Sequence, residues 1–290
     1  MSFWKKASYF IQYIVFLIII EGTRILPFNT RRNVVGWITA HVIAPMVGWP
    51  NAIKRNLGYI FPDMSPEEMK PIATEVSRNV GRTICENFSG KDFRKFVSDI
   101  PMQGGGVEDL REAVENKRPV ILVSGHFGNY DAIRAKLGVE GVAVGALYRP
   151  TNNEFFNPYY ARRLEENNAP LFGRGRKGLA QMLKFLRQGN TIAILNDQHM
   201  SKGAKLKFMG KRAKTAVSAA EMALKYNALL IPVYGVRKNG GLDFDIIIDP
   251  PIPHSEPLEM TQMLNDSLEK HVRENLGQWL WGHTRWRFKS

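Results

Sequence analysis

The chain of 290 residues has one cysteine, Cys85. A single cysteine excludes an intrachain disulfide and any zinc site built from several thiolates. It leaves the reading of a small buried residue in a reducing compartment. Acidic residues are scarce in two places. Residues 1–55 hold seven bases and one acid, Glu21, a net of +6. Residues 167–220 hold eleven bases and one acid, Asp197, a net of +10. The remainder carries −3 of the formal +13 (13 − 6 − 10). Such a balance points to polyanionic partners, whether nucleic acid, an anionic membrane or acidic molecules, without choosing among them. Internal repeats and low-complexity segments are also lacking. At 44% hydrophobic and 11% aromatic the chain is too apolar to be disordered.

One long apolar run is present. Residues 7–20 are interrupted only by Ser8 and Gln12, and Lys5 and Lys6 precede them. Counted from Phe3 to Leu26, the segment just reaches the ~20 residues of a spanning helix. No small-x-small cleavage site follows, so a retained membrane anchor over residues 1–27 is expected rather than a signal peptide. Residues 34–49 are apolar as well, with Trp37 and Trp49 near the ends as interfacial aromatics often are. Residues 28–290 read as one domain. Its pattern is helical to about Phe96, with a break at Phe61-Pro62-Asp63 and a restart at Ser65-Pro66. Strand-like runs at 119–124, 142–148, 191–195, 229–236 and 244–248 then alternate with helical ones. That alternation predicts an α/β fold with a mostly parallel sheet flanked by helices.

The run Val120-Ile-Leu-Val-Ser-Gly-His-Phe-Gly-Asn-Tyr-Asp131 concentrates the chemistry. A buried strand ends at Ser124, and a helix is expected to begin near Asn129. Functional groups of open α/β sheets gather at this carboxyl edge. His126 there suits a general base, with Asp131 holding its tautomer as in a triad without its serine. By spacing alone His-x4-Asp/Glu is weak, since six histidines and 27 acids give about half a match by chance. A second match, His254 with Glu259, falls in proline-rich sequence and reads as loop. Around His126 no other histidine or cysteine lies at ligand spacing, so neither metal nor cofactor is expected.

Residues 125–131 resemble the His-x4-Asp/Glu block of the lysophospholipid acyltransferase superfamily, and more narrowly the bacterial lipid A biosynthesis acyltransferases of the late, lauroyl/myristoyl type. Tyr148-Arg149-Pro150, Asp197-Gln198, Phe208-Met209-Gly210 with Ala213 and Thr215, and Gln278-Trp-Leu-Trp-Gly-His-Thr-Arg-Trp286 agree in order along nearly the whole chain. Asp131 stands where many members have Glu, Tyr130 where many have Trp, and Leu276-Gly277 where Pro-Glu is common. The resemblance implies acyl transfer from an acyl carrier protein thioester to a hydroxyl, of a 3-hydroxyacyl chain, on a lipid A precursor. It also implies an inner-membrane enzyme with its catalytic domain on the cytoplasmic side. In that scheme His126 removes the hydroxyl proton, and backbone amides near Gly128-Asn129 stabilise the oxyanion. Asn129 is accordingly assigned to the substrate. Arg149, after a strand, binds phosphate or positions the acceptor. Asp197 takes a positioning role through Arg149 or a neighbouring base.

Gly173-Arg-Gly-Arg-Lys-Gly178 matches G-x-G-x-x-G. The dinucleotide reading is rejected because Pro170 interrupts the preceding segment. Arg174, Arg176 and Lys177 instead form an anion site at a helix start. Residues 202–214 carry six bases around Leu206, Phe208 and Met209, which fits contact with anionic membrane lipids. The tryptophans of residues 279–288 are expected to pack without direct chemistry. A lysophospholipid or glycolipid acceptor is the alternative enzyme reading. A membrane-tethered nucleic-acid-binding protein is a remote one, since no nucleic-acid motif is present and nucleic acid is not expected as a partner.

Overall fold

The computed structural model describes residues 2–238 and 240–286. Its first element, α1 (Phe3–Gly22), continues as a 3-10 turn to Ile25. It is long and apolar enough to cross a membrane and is almost wholly uncovered by the rest of the chain. Its inward stripe is Tyr13, Phe16, Leu17 and Ile20, one face of a 3.6-residue helix. The opposite face exposes Ile11, Ile14 and Ile18. Next come α2 (Phe28–Ile38), a π-helical turn to Ile43, and α3 (Ala44–Met46). This stretch also leaves Trp37, Val42 and Met46 exposed, whereas Trp49 packs inward.

The break and restart fall as the sequence predicts. α4 (Trp49–Ile60) ends before Pro62, and α5 (Pro66–Asn87) starts from a capping box in which Ser65 and Glu68 bind each other's backbone amides. Then follow α6 (Lys91–Ser98), β1 (Met102–Gln103), α7 (Val107–Glu115), β2 (Val120–Ser124), α8 (Ala132–Val139), β3 (Val144–Tyr148) and α9 (Asn157–Asn167). The chain continues with β4 (Leu171–Gly173), α10 (Arg176–Arg187), β5 (Thr191–Leu195), β6 (Ala204–Phe208), β7 (Lys211–Thr215), α11 (Ser218–Tyr226), β8 (Leu229–Arg237), β9 (Phe244–Ile248) and α12 (Pro257–Glu274).

Seven strands form one sheet in the order β1-β9-β8-β2-β5-β3-β4. Every neighbouring pair is parallel except β8 and β9. β2 is buried at all five positions, as a central parallel strand covered on both faces must be. Two differences from the sequence reading concern the site. A short strand, β4, does precede the glycine-rich stretch. Residues 204–215, which the sequence reading does not assign to strands, are a separate antiparallel hairpin, β6–β7.

Candidate active site

β2 and β5 are adjacent parallel strands, and their register sets Ser124 opposite Leu195. Two residues beyond these ends stand His126 and Asp197. Asp197 Oδ1 lies 2.8 Å from His126 Nδ1, and Asp197 Oδ2 accepts the His126 amide at 2.7 Å. Trp279 Nε1 donates to the same Oδ2 at 2.9 Å. The carboxylate that orients His126 is therefore Asp197, not Asp131 as the spacing predicts. The base through which Asp197 acts is His126 itself, not Arg149. With Nδ1 facing a carboxylate, the ring proton belongs there and Nε2 is the basic nitrogen.

Burial in the cavity wall pushes the His126 pKa down, but the charge and hydrogen bond of Asp197 outweigh it, so the net shift is upward. For Asp197, burial raises the pKa. The charge and hydrogen bonds of His126, with Trp279 assisting, prevail and hold the carboxyl far below the usual carboxylate range.

Asp131 lies five residues on, as N-cap of α8, which begins at Ala132 rather than near Asn129. Its carboxylate is bound by Arg134 at 2.6 Å and Asn167 at 2.8 Å. A tight turn separates it from His126. Gly128 sits at φ +51°, and a Cβ there would lie 1.9 Å from the Gly235 carbonyl oxygen, so a side chain would break the turn. The Gly128 amide donates to the Gln278 carbonyl and the Asn129 amide to the Gly235 carbonyl, at 2.9 and 3.0 Å. Neither is available to an oxyanion. The Asn129 side chain is also turned away from any substrate: it is fully buried, and its Nδ2 donates to Glu86 at 2.7 Å.

A cavity of about 1110 Å³ opens beside His126, larger than the roughly 300–1,000 Å³ of small-molecule sites. Its floor is one register row across four strands, Leu122, Ala193, Ala146 and Leu171. Tyr13 and Phe16 of α1 contribute to its wall. Phe16 packs on Phe88 and Phe156 at 5.3 and 4.7 Å between ring centroids. Glu21 accepts hydrogen bonds from Tyr159 and Arg163, both at 2.5 Å. Tyr130 also lines the cavity, its ring edge-on to His126 at 5.3 Å. Its hydroxyl has no hydrogen-bond partner among the described residues, and burial pushes its pKa up so that it keeps its proton.

Arg149 lines the cavity and is exposed. Arg174, whose amide donates to the Tyr148 carbonyl at 2.8 Å, extends from the neighbouring strand end. Lys177 lies in the first turn of α10 and is exposed but does not line the cavity. The C-terminal block folds over the His126 turn. Leu280 donates to the His126 carbonyl, and the His283 ring stands 5.2 Å from that of His126. Trp281 and Trp286 pack as expected, whereas Trp279 also holds Asp197. Arg287, Phe288 and Lys289 lie outside the described residues. Tyr130, Trp279 and His283 are residues at the site that sequence reasoning does not assign to it. For the last two the only signal was the dense Trp/His/Arg block, since contacts made across the fold leave no local spacing.

Residues 1–288 match the family model described as bacterial lipid A biosynthesis acyltransferase. The chain is 27% identical over 277 residues to a lipid A biosynthesis acyltransferase of Haemophilus influenzae, covering 90% of this chain and 86% of that one. It is 25% identical to the lipid A biosynthesis lauroyltransferase of Escherichia coli, covering 81% and 78%. It is 20% identical to a phosphatidylinositol mannoside acyltransferase of Mycobacterium tuberculosis, covering 82% and 78%. The match over residues 1–288 makes this protein an acyltransferase that belongs to the bacterial lipid A biosynthesis acyltransferase family.

Proposed function

We propose that this acyltransferase moves a fatty acyl chain from an acyl carrier protein thioester to a hydroxyl of a 3-hydroxyacyl chain on a lipid A precursor. The observation that carries the proposal is the His126–Asp197 pair opening onto an apolar cavity. His126 Nε2 takes the proton of the acceptor hydroxyl, and the oxygen attacks the thioester carbonyl. The tetrahedral intermediate collapses with cleavage of the C–S bond, and the departing thiolate takes the proton back from His126. The products are an ester and a free thiol. With the Gly128 and Asn129 amides occupied, the Tyr130 hydroxyl is the donor assigned to the oxyanion. Asp131 fixes the wall behind His126. Arg149, Arg174 and Lys177 supply cations for the phosphates of the acceptor. The exposed apolar face of α1 supports anchoring in the inner membrane, with the catalytic domain on the cytoplasmic side, where the carrier-bound donor is available.

The mannoside relative favours a second reading in which the acceptor is another glycolipid hydroxyl. Mass spectrometry of lipids from a deletion strain decides between the two. Lipid A lacking one acyl chain is the expected result. Unchanged lipid A with a chain missing from another lipid would overturn the lipid A assignment. In the same assay His126→Ala abolishes transfer, and Tyr130→Phe lowers kcat by about 10²-fold. Full activity of either folded variant would remove that residue from the scheme.

A further inference from the structure

The β6–β7 hairpin carries a pattern that the acyl-transfer chemistry leaves unexplained. Its register pairs Lys205 with Lys214 and Lys207 with Arg212. Residues directly opposite in an antiparallel pair share a face, and like charges placed so repel one another. One face of the hairpin therefore presents four cations and no acid. None of the four has an ion pair among the described residues; Lys214 donates only to the Ser201 carbonyl. The apolar residues interleaved in sequence all turn to the other face, where Phe208, Met209 and Ala213 are buried against the tryptophan cluster.

That separation argues against the membrane contact expected from the sequence. A membrane-lying surface mixes cations with exposed apolar side chains. Among the described residues twelve of the twenty exposed large apolar side chains fall in the first 47 residues, and although Met200 and Met263 stand near the hairpin, none of the twenty belongs to β6 or β7. The hairpin is also firmly held. Gln262 and Asn265 of α12 bind the Lys207 backbone, and Arg285 binds the Lys214 carbonyl. Its two strands enter and leave the fold between Gln198 and Ser218, both of which line the cavity. Five residues span about 17 Å, so the base of the hairpin adjoins the cavity and a partner seated on it stands within reach of the opening without lining it.

We infer that the outward face of β6–β7 is the docking surface for an acidic protein, the carrier that presents the acyl thioester to His126. The inference rests on the carrier-bound donor proposed above. A surface of Asp and Glu side chains would neutralise the two repelling pairs and steer encounter through long-range attraction. The thioester arm would then reach the cavity past Gln198.

The test compares two donors, a fatty acyl-acyl carrier protein and the same acyl group on coenzyme A, with the full-length membrane enzyme and its K205E/K207E/R212E variant. The KM for the carrier-bound donor is expected to rise by about tenfold or more, with kcat and the KM values for acyl-coenzyme A and lipid acceptor unchanged. Raised salt is expected to mimic the variant in the wild-type enzyme. Sedimentation with phosphatidylglycerol vesicles is expected to be the same for both proteins. A variant with unchanged KM for the carrier-bound donor would overturn the inference while leaving the acyl-transfer reading intact. Reduced vesicle binding with that KM unchanged would make the face a lipid contact instead. A wild-type enzyme that uses only acyl-coenzyme A would overturn the donor assignment and this inference together. Should the charge-reversed chain fail to fold, the variant with glutamine at the same three positions carries the comparison, with a smaller rise in KM expected.

Discussion

His126 and Asp197 are 71 residues apart in sequence and meet because β2 and β5 are neighbours ending at the same level. The His-x4-Asp spacing singles out the histidine that pairs with a carboxylate, but the acid five residues on is claimed by Arg134 and Asn167 beyond a glycine turn. Asp197 is marked in the sequence as a lone acid following a strand and as part of the Asp197-Gln198 stretch that carries the family resemblance, with a positioning role but without its partner. Seeing its partner required the strand order, which spacing does not contain. Asp197→Asn tests the geometry at this scale. The substitution keeps the shape but removes the charge that lifts the His126 pKa against burial. The histidine pKa falls, so the acid limb of the rate profile moves to lower pH. kcat falls by about 10³–10⁴-fold, as for other triads deprived of the carboxylate. A pH profile measured on the folded variant checks both, and an unmoved limb would separate Asp197 from the reaction. The pair also bears on stability. The depressed Asp197 contributes fully above the ordinary carboxylate pKa and loses its contribution as pH falls toward its own. The raised His126 contributes fully below the ordinary imidazole pKa and loses its contribution as pH rises through its folded value.

Most of the elements were legible from periodicity. The strands at 191–195 and 244–248 fall where the pattern places them. The β6–β7 hairpin was missed although Leu206 and Phe208 alternate with lysines around Met209-Gly210. Both of those residues adopt positive φ, as a tight hairpin turn requires. Density of charge masked the period of two. The cavity floor is a property of elements that no single segment reveals, because Leu122, Ala193, Ala146 and Leu171 come from four strands. Its two central alanines leave the space that an acyl chain would occupy. Ala193→Leu fills part of that space, and the preferred donor is expected to shorten by about two to four carbons. Each excluded methylene would change kcat/KM by roughly 10–200-fold. Rates across a series of acyl donors measure the shift. An unchanged chain preference would place the acyl group elsewhere in the cavity.

Across the whole molecule, the division of charge separates two uses that the sequence cannot distinguish. Of the seven bases in residues 1–55, Arg31 and Arg32 are buried and paired with Asp92 and Glu86, at 2.7 and 3.2 Å. They tie α2 to the body of the protein instead of meeting lipid. Glu86 is fully buried and also accepts from Arg237 at 2.6 Å and from Asn129 at 2.7 Å. One carboxylate therefore links α2, α5, β8 and the turn that carries His126. Nothing local marks it, since a Glu in a helix ordinarily faces water. Glu86→Gln would leave Arg32 and Arg237 buried without their counter-charge. Such an unpaired charge is worth about 3–5 kcal/mol of lost stability. Glu108, exposed and paired with the exposed Arg111 at 3.6 Å, serves as the comparison. Solvent screens that pair, so Glu108→Gln is expected to cost under about 1 kcal/mol. Denaturant unfolding of both variants in detergent measures the contrast. Acyl transfer by the fraction of Glu86→Gln that remains folded shows whether the turn at His126 feels the loss. Equal costs for the two substitutions would mean that the buried network does not couple the N-terminal helices to the site.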